Sequence, residues 1–127
     1  MGRDVRVPFT YITVPILNDD FSVIVSWGDE AEAYPYLKKF TGTDEFIHIL
    51  EKSEAVFWTS EKHTCLPVMY IKVSPDDIIF MSLVAHEAVH CIDCILDAIG
   101  EGKTKELVAH SVGAIVRAVS KRLQENN

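Results

Sequence analysis

The chain has 127 residues, 48% of them hydrophobic and 24% charged, which is the composition of one folded globular domain. Its net charge of −7 argues against a nucleic-acid partner, which usually requires a basic face. Three cysteines, an odd number, argue against a disulfide framework and favour a reducing compartment. Because no segment has the character of a signal peptide or a membrane span, we expect a cytoplasmic protein with no membrane partner.

The first 73 residues predict a small, mostly antiparallel sheet with short helices. Runs of β-branched and aromatic residues indicate strands, and capping residues mark the helix starts. The predicted strands span residues 9–17, 21–27, 55–59 and 66–73, and the predicted helices span 29–40 and 44–52. Pro15 indicates that the first strand lies at a sheet edge or ends there.

The rest of the chain predicts two long helices. Ser74, Pro75 and the two acids that follow form a strong helix start, and Gly100 is a natural stop, so the first helix spans about 75–99. Apolar residues cover nearly every angle of it, which predicts a central, buried helix. The second spans about 104–124. The expected architecture is a single α+β domain, residues 1–127, with the helices on one face of the sheet.

The middle of the first long helix carries the segment His86-Glu87-Ala88-Val89-His90. His86 and His90 are one turn apart, about 40° around the axis, so their rings can converge on one ion. Glu87 lies about 100° from His86, where its carboxylate can take a proton from a metal-bound water without binding the metal. The alternative is a metal-free cluster, with two hydrogen-bonded core histidines and a glutamate paired with a lysine or arginine.

A catalytic zinc site usually has three protein ligands and one open position. Glu106 and His110 are one turn apart near the start of the last helix, and Glu106 is the preferred third ligand. Gly113, in the same stripe, would let another backbone approach closely. Asp93 lies two turns beyond His86, about 10 Å along the axis, so we expect it to support the site rather than to bind the metal. Cys91 and Cys94 are expected to be core residues.

On this motif and the acidic residue of the following helix, the sequence resembles the zincins, the HEXXH class of zinc peptidases. More narrowly it is similar to the compact gluzincin-like proteins, including small ones carried by phages and prophages. The resemblance implies a zincin-like fold, Zn²⁺ bound by His86, His90 and Glu106, and Glu87 as general base. Where the family pattern has E-x-x-x-D, this chain has His110 in the last position, so His110 is an alternative ligand or a supporting residue.

The resemblance also implies an edge strand that lies over the active-site helix and pairs with the substrate backbone. Residues 66–73 would be that strand here. Tyr70, His63 and His110 are candidates for steadying the tetrahedral intermediate. The predicted function is therefore zinc-dependent hydrolysis of a peptide or protein substrate, with Glu87 passing the proton of the attacking water to the leaving amine. The alternative is a zincin-fold protein that binds zinc without cleaving peptides and acts as a phage structural or host-interaction protein.

Overall fold

The computed structural model describes residues 7–17, 21–50, 52–59, 66–99 and 105–125, except the side chains of residues 47, 48 and 99. Within these ranges the chain forms four strands and four helices, and the predicted α+β class is confirmed. In chain order the elements are β1 (Thr10–Ile16), β2 (Phe21–Trp27), α1 (Glu30–Thr41), α2 (Glu45–Leu50), β3 (Ala55–Trp58), β4 (Val68–Ile71), α3 (Phe80–Ile99) and α4 (Lys105–Glu125).

The four strands form one mixed sheet in the order β1-β2-β4-β3. β1 pairs with β2 and β3 pairs with β4 in antiparallel fashion, whereas β2 and β4 are parallel. The last predicted strand is therefore interior, and the prediction that residues 66–73 form the edge strand for a substrate is wrong. This order makes β1 and β3 the edges among the described strands. The crossover between the parallel strands β2 and β4 contains α1, α2 and β3.

Side chains on opposite faces of the sheet enter two different hydrophobic clusters. Met69 and Ile71 of β4 pack with residues of α3 and α4, including Val84 and Ile115. Val68 and Tyr70, which alternate with them, pack with residues of α1 and α2. The prediction that all the helices lie on one face is thus wrong: two lie on each face, and the interior strand β4 is buried on both sides.

The helix α3 begins at Phe80, five residues after the predicted start at Pro75. The residues before it form two successive turns, in which Asp77 N–H donates to Ser74 O and Phe80 N–H donates to Asp77 O. The Ser74 hydroxyl accepts a hydrogen bond from the Asp76 N–H, and the Asp77 carboxylate accepts one from the Ile79 N–H. Ser74 therefore stabilises a turn, because a side chain that can cap a helix can equally close a turn. The predicted stop at Gly100 lies outside the described residues.

The prediction that the first long helix is buried on all sides is also wrong. One face of α3 is buried, but the opposite face, which carries His86, Val89, His90 and Asp97, is exposed. Its buried residues are Phe80, Val84, Ala88, Cys91, Ile92, Ile95 and Leu96. Apolar residues such as Val89 also occur on the outer face, so the sequence pattern did not distinguish the exposed face from the buried one. In the described residues, no helix is long and apolar enough to cross a membrane.

Candidate functional site

The two motif histidines form a close pair on the exposed face of α3. Their Nε2 atoms are 3.2 Å apart, and the ring planes are inclined at 79° with centroids 4.8 Å apart. Two imidazole nitrogens bound to one zinc at about 2.0–2.1 Å with near-tetrahedral angles are about 3.3 Å apart, so the pair fits two positions of a zinc site. The same distance also suits a hydrogen bond from one ring to the other.

Glu87 and His90 also line a groove between α3 and the edge strand β3. The groove has a volume of about 450 Å³. Its other lining residues come from α2, β3 and the segment between them: Ile49, Ser53, Ala55, Val56 and Phe57. A carboxylate and an imidazole therefore face a groove of mixed polar and apolar lining that is open to solvent and large enough for part of an extended peptide.

On the side of this groove, the backbone of β3 has no partner strand among the described residues. Lys72 N–H donates to Glu54 O, so these two residues form a hydrogen-bonded pair of the antiparallel ladder. Hydrogen-bonded pairs alternate along such a ladder, so Val56 pairs with Tyr70 in the same way. The N–H and C=O groups of Ala55 and Phe57 must then point away from β4, toward the open edge. A peptide can pair with these groups as an added strand.

The structure does not bring Glu106 or His110 to the histidine pair. Both are exposed on α4, whose packed side instead carries Ser111, Ile115 and Val119. Among the described residues, no three His, Cys, Asp or Glu side chains come together as a metal-binding group. The space expected to admit a second backbone at Gly113 is occupied instead by the chain's own Arg117, whose guanidinium lies 3.1 Å from the position of a Cβ there.

Asp93 and the two cysteines of α3 are buried or half-buried. Asp93 is half-buried and, among the residues that the structure describes, belongs to no group of three possible metal ligands. Cys91 is a buried core residue, as predicted, and burial, with smaller effects from Cys94 and Glu87, raises the pKa of its thiol to about 12. Cys94 is half-buried, and burial raises its thiol pKa as well. The thiols are therefore protonated near neutral pH.

The structure places Tyr70 away from the site. Its side chain is fully buried on the sheet face that packs against α1 and α2, opposite to α3. Its hydroxyl donates a hydrogen bond to Gly28 O over 2.5 Å. Burial raises the pKa of this hydroxyl above its usual range, and the nearby Glu30 and Asp29 carboxylates add to the increase. The prediction that Tyr70 contacts a substrate is therefore wrong, while His63 lies outside the described residues.

We expect Tyr70→Phe to lower the free energy of unfolding by about 1–2 kcal/mol, because Gly28 O would lose its buried donor. The effect should shrink above about pH 10, since the raised pKa makes the folded state keep a proton that the unfolded chain loses there. Urea unfolding of both proteins between neutral and alkaline pH measures this. Tyr36→Phe, at an exposed position, is the control and should be neutral. A neutral Tyr70→Phe would contradict the assigned hydrogen bond.

Sequence reasoning missed the part of the site that comes from outside the motif. Ile49, Ser53 and Phe57 line the groove only because β3 is placed at the sheet edge, next to α3. Pro15 marks β1 as an edge strand, but nothing in the sequence of β3 marks it as the other edge. Strand order depends on contacts between distant residues, which local patterns do not report.

No protein-family model, curated protein or solved structure matches this chain. The family resemblance therefore stays a prediction.

Proposed function

We propose that the protein is a zinc-dependent peptidase that binds an extended peptide along β3. One observation carries the proposal: Glu87 and His90 of the H-E-x-x-H motif line the same groove as the open edge of a β-strand. A base, a metal-binding imidazole and a row of backbone hydrogen-bonding groups are thus in one place. The arrangement of a motif helix beside an edge strand also supports a zincin-like fold.

In this proposal His86 and His90, whose Nε2 atoms lie 3.2 Å apart, would hold the metal. Bound zinc would supply a Lewis acid that polarises the substrate carbonyl and lowers the pKa of a water to about 7. Glu87 takes the proton of the attacking water and delivers it to the leaving amine. Its position supports this role, because its side chain faces the groove and one turn of helix connects it to His90.

The edge of β3 would hold the substrate in place. The outward N–H and C=O groups of Ala55 and Phe57 would pair with the peptide backbone, so that binding depends little on the peptide's sequence. Ile49 and Phe57 offer apolar contact to one of its side chains. An extended peptide held in this way exposes its carbonyl groups at regular spacing beside Glu87 and His90.

The third protein ligand in this proposal is Glu106, with His110 as the alternative. Both lie on the outer face of α4, so binding through either one requires its side chain or the start of α4 to move toward α3. Where neither takes part, water or the substrate completes the coordination shell.

Ala55→Pro tests the peptide-binding edge. Proline removes an N–H that points into the groove but leaves the β3–β4 ladder intact, so we expect the protein to fold and KM to rise about fivefold or more. Cleavage of a peptide library, followed by kinetics on the best substrate, measures this. A chelator should abolish cleavage by the unmodified protein, and added zinc should restore it.

Val56→Pro is the matched control, because its N–H belongs to the ladder with Tyr70. We expect it to destabilise the fold by about 3 kcal/mol, in contrast to Ala55→Pro. If Ala55→Pro retained the original KM, the peptide would not pair with β3. Cleavage that persisted in the chelator would reject zinc dependence.

A second candidate function is zinc binding without peptidase activity, in a phage structural or host-interaction protein. One observation favours it: the histidine pair is exposed, and within the described residues no third ligand joins it. Zinc that binds to the purified protein, together with no cleavage anywhere in the peptide library, would select this function.

A further inference from the structure

A second cavity, with a volume of about 640 Å³, lies apart from the motif. It is formed where the start of β1, the turns before α3 and the last turns of α4 meet. Its lining residues are Val7, Pro8, Thr10, Trp27, Pro75, Asp76, Arg122 and Leu123. Its size is in the usual range of small-molecule sites.

The wall of this cavity nearest β1 is held in place by backbone contacts. Asp29 N–H donates to Val7 O over 2.8 Å. Gly28 has a positive φ, and a Cβ on it would lie 2.3 Å from Pro8 O, so the two chain segments are in direct contact there. Trp27, only 1% exposed, packs edge-on against Phe80 and fixes the sheet to α3. This wall is therefore formed before any ligand binds.

Among the described residues that line the cavity, two are charged, one with each sign: Asp76 and Arg122. Asp76 lies in the turns before α3, where its backbone N–H donates a hydrogen bond to the Ser74 hydroxyl, and its exposed side chain lines the cavity. Arg122 lies in the last turns of α4 beside Leu123. Both charged side chains are exposed, so they can reach a ligand without the cost of burying an unpaired charge.

We propose that this cavity binds a small zwitterion of the amino-acid or dipeptide class. The ligand carboxylate pairs with the Arg122 guanidinium, its ammonium pairs with the Asp76 carboxylate, and its apolar side chain packs against Val7, Pro8 and Leu123. This site is independent of the proposed peptidase function.

Charge selects a zwitterion over a simple anion. The protein has a net charge of −7, which disfavours the approach of an anion, and Asp76 would repel it inside the cavity. A simple cation would meet the repulsion of Arg122. A molecule with both charges avoids each of these costs. Because the two side chains stay in contact with water, we expect a dissociation constant in the millimolar range.

Titration of the ¹⁵N-labelled protein with L-leucine tests the proposal by NMR. The chain has two tryptophans, and only Trp27 lines the cavity, while Trp58 packs on the other face of the sheet. We expect a saturable shift of the Trp27 indole signal and none of the Trp58 signal. Leucinamide lacks the carboxylate and 4-methylpentanoate lacks the ammonium group, so each should bind about fivefold more weakly.

Arg122→Gln and Asp76→Asn should each weaken L-leucine binding by about fivefold. Lys121→Gln is the control, since Lys121 is exposed beside Arg122 but does not line the cavity. The dispersion of the amide signals reports that each variant is folded. No saturable Trp27 shift, equal binding of all three small molecules, or unchanged binding by both variants would each overturn the proposal.

Discussion

Replacing Glu87 with glutamine is expected to abolish peptide hydrolysis while zinc still binds. The amide keeps the size and shape of the side chain in the groove but cannot accept the proton of the attacking water, and general base catalysis usually contributes about 10²–10⁴-fold. Because Glu87 is not one of the assigned ligands, zinc content should stay at about one ion per chain. Kinetics on a library-derived peptide and elemental analysis of the same sample measure both effects.

Glu125→Gln is a suitable control, because Glu125 is exposed at the end of α4 and does not line the groove. It should leave both cleavage and zinc content unchanged. If Glu87→Gln kept normal activity, the base would be another residue. If it lost zinc together with activity, Glu87 would be a ligand and the proposed division of roles within the motif would be incorrect.

Replacing either histidine of the pair with alanine should remove zinc. Replacing a residue that only hydrogen-bonds to a metal ligand lowers metal affinity by about 10–100-fold. Replacing a ligand itself should therefore lower zinc affinity by more than about 100-fold. His86 and His90 are both exposed, so each substitution should change the free energy of unfolding by no more than about 0.5 kcal/mol. Zinc titration by calorimetry, with urea unfolding of the same variants, separates lost binding from lost folding.

The same titration on Glu106→Ala and His110→Ala identifies the third ligand. Under the proposal the first variant loses affinity and the second does not, while the opposite result would assign the role to His110. Unchanged affinity in both would show a two-histidine site completed by water or by substrate. Normal zinc affinity in His86→Ala and His90→Ala would reject the metal site altogether.

Local signals in the sequence predicted the elements whose ends depend on nearby residues. The Asp29 carboxylate caps α1 by accepting a hydrogen bond from the Glu32 N–H, close to the predicted helix start, and β1, β2 and α4 also lie close to their predicted positions. The start of α3 was missed because the Ser74 and Asp77 side chains accept hydrogen bonds from the backbone N–H groups of Asp76 and Ile79, in two turns before the helix begins. Capping patterns and turn patterns use the same side chains, so the sequence does not distinguish them.

Burial and strand order were harder to predict, because both depend on contacts between distant residues. Val89, an apolar residue on the outer face of α3, concealed the polar stripe that contains His86 and His90. The spacing of those two residues did predict that their rings would meet, since it depends only on helix geometry. The distance from Glu106 to the histidine pair depends on how α4 packs against α3. The spacing of residues within α4 does not predict this packing.

The parallel pairing of β2 with β4 has a consequence for the order in which the chain folds. Ser26 donates a hydrogen bond to Met69 O across this pair, although the two residues are 43 positions apart in sequence. β1 and β2 can pair locally. β4 can pair with β2 only after the long chain segment between them closes into a loop, which lowers the chain entropy. Among the described strands β3 pairs with β4 alone, so the edge that lines the groove is completed in the same late step.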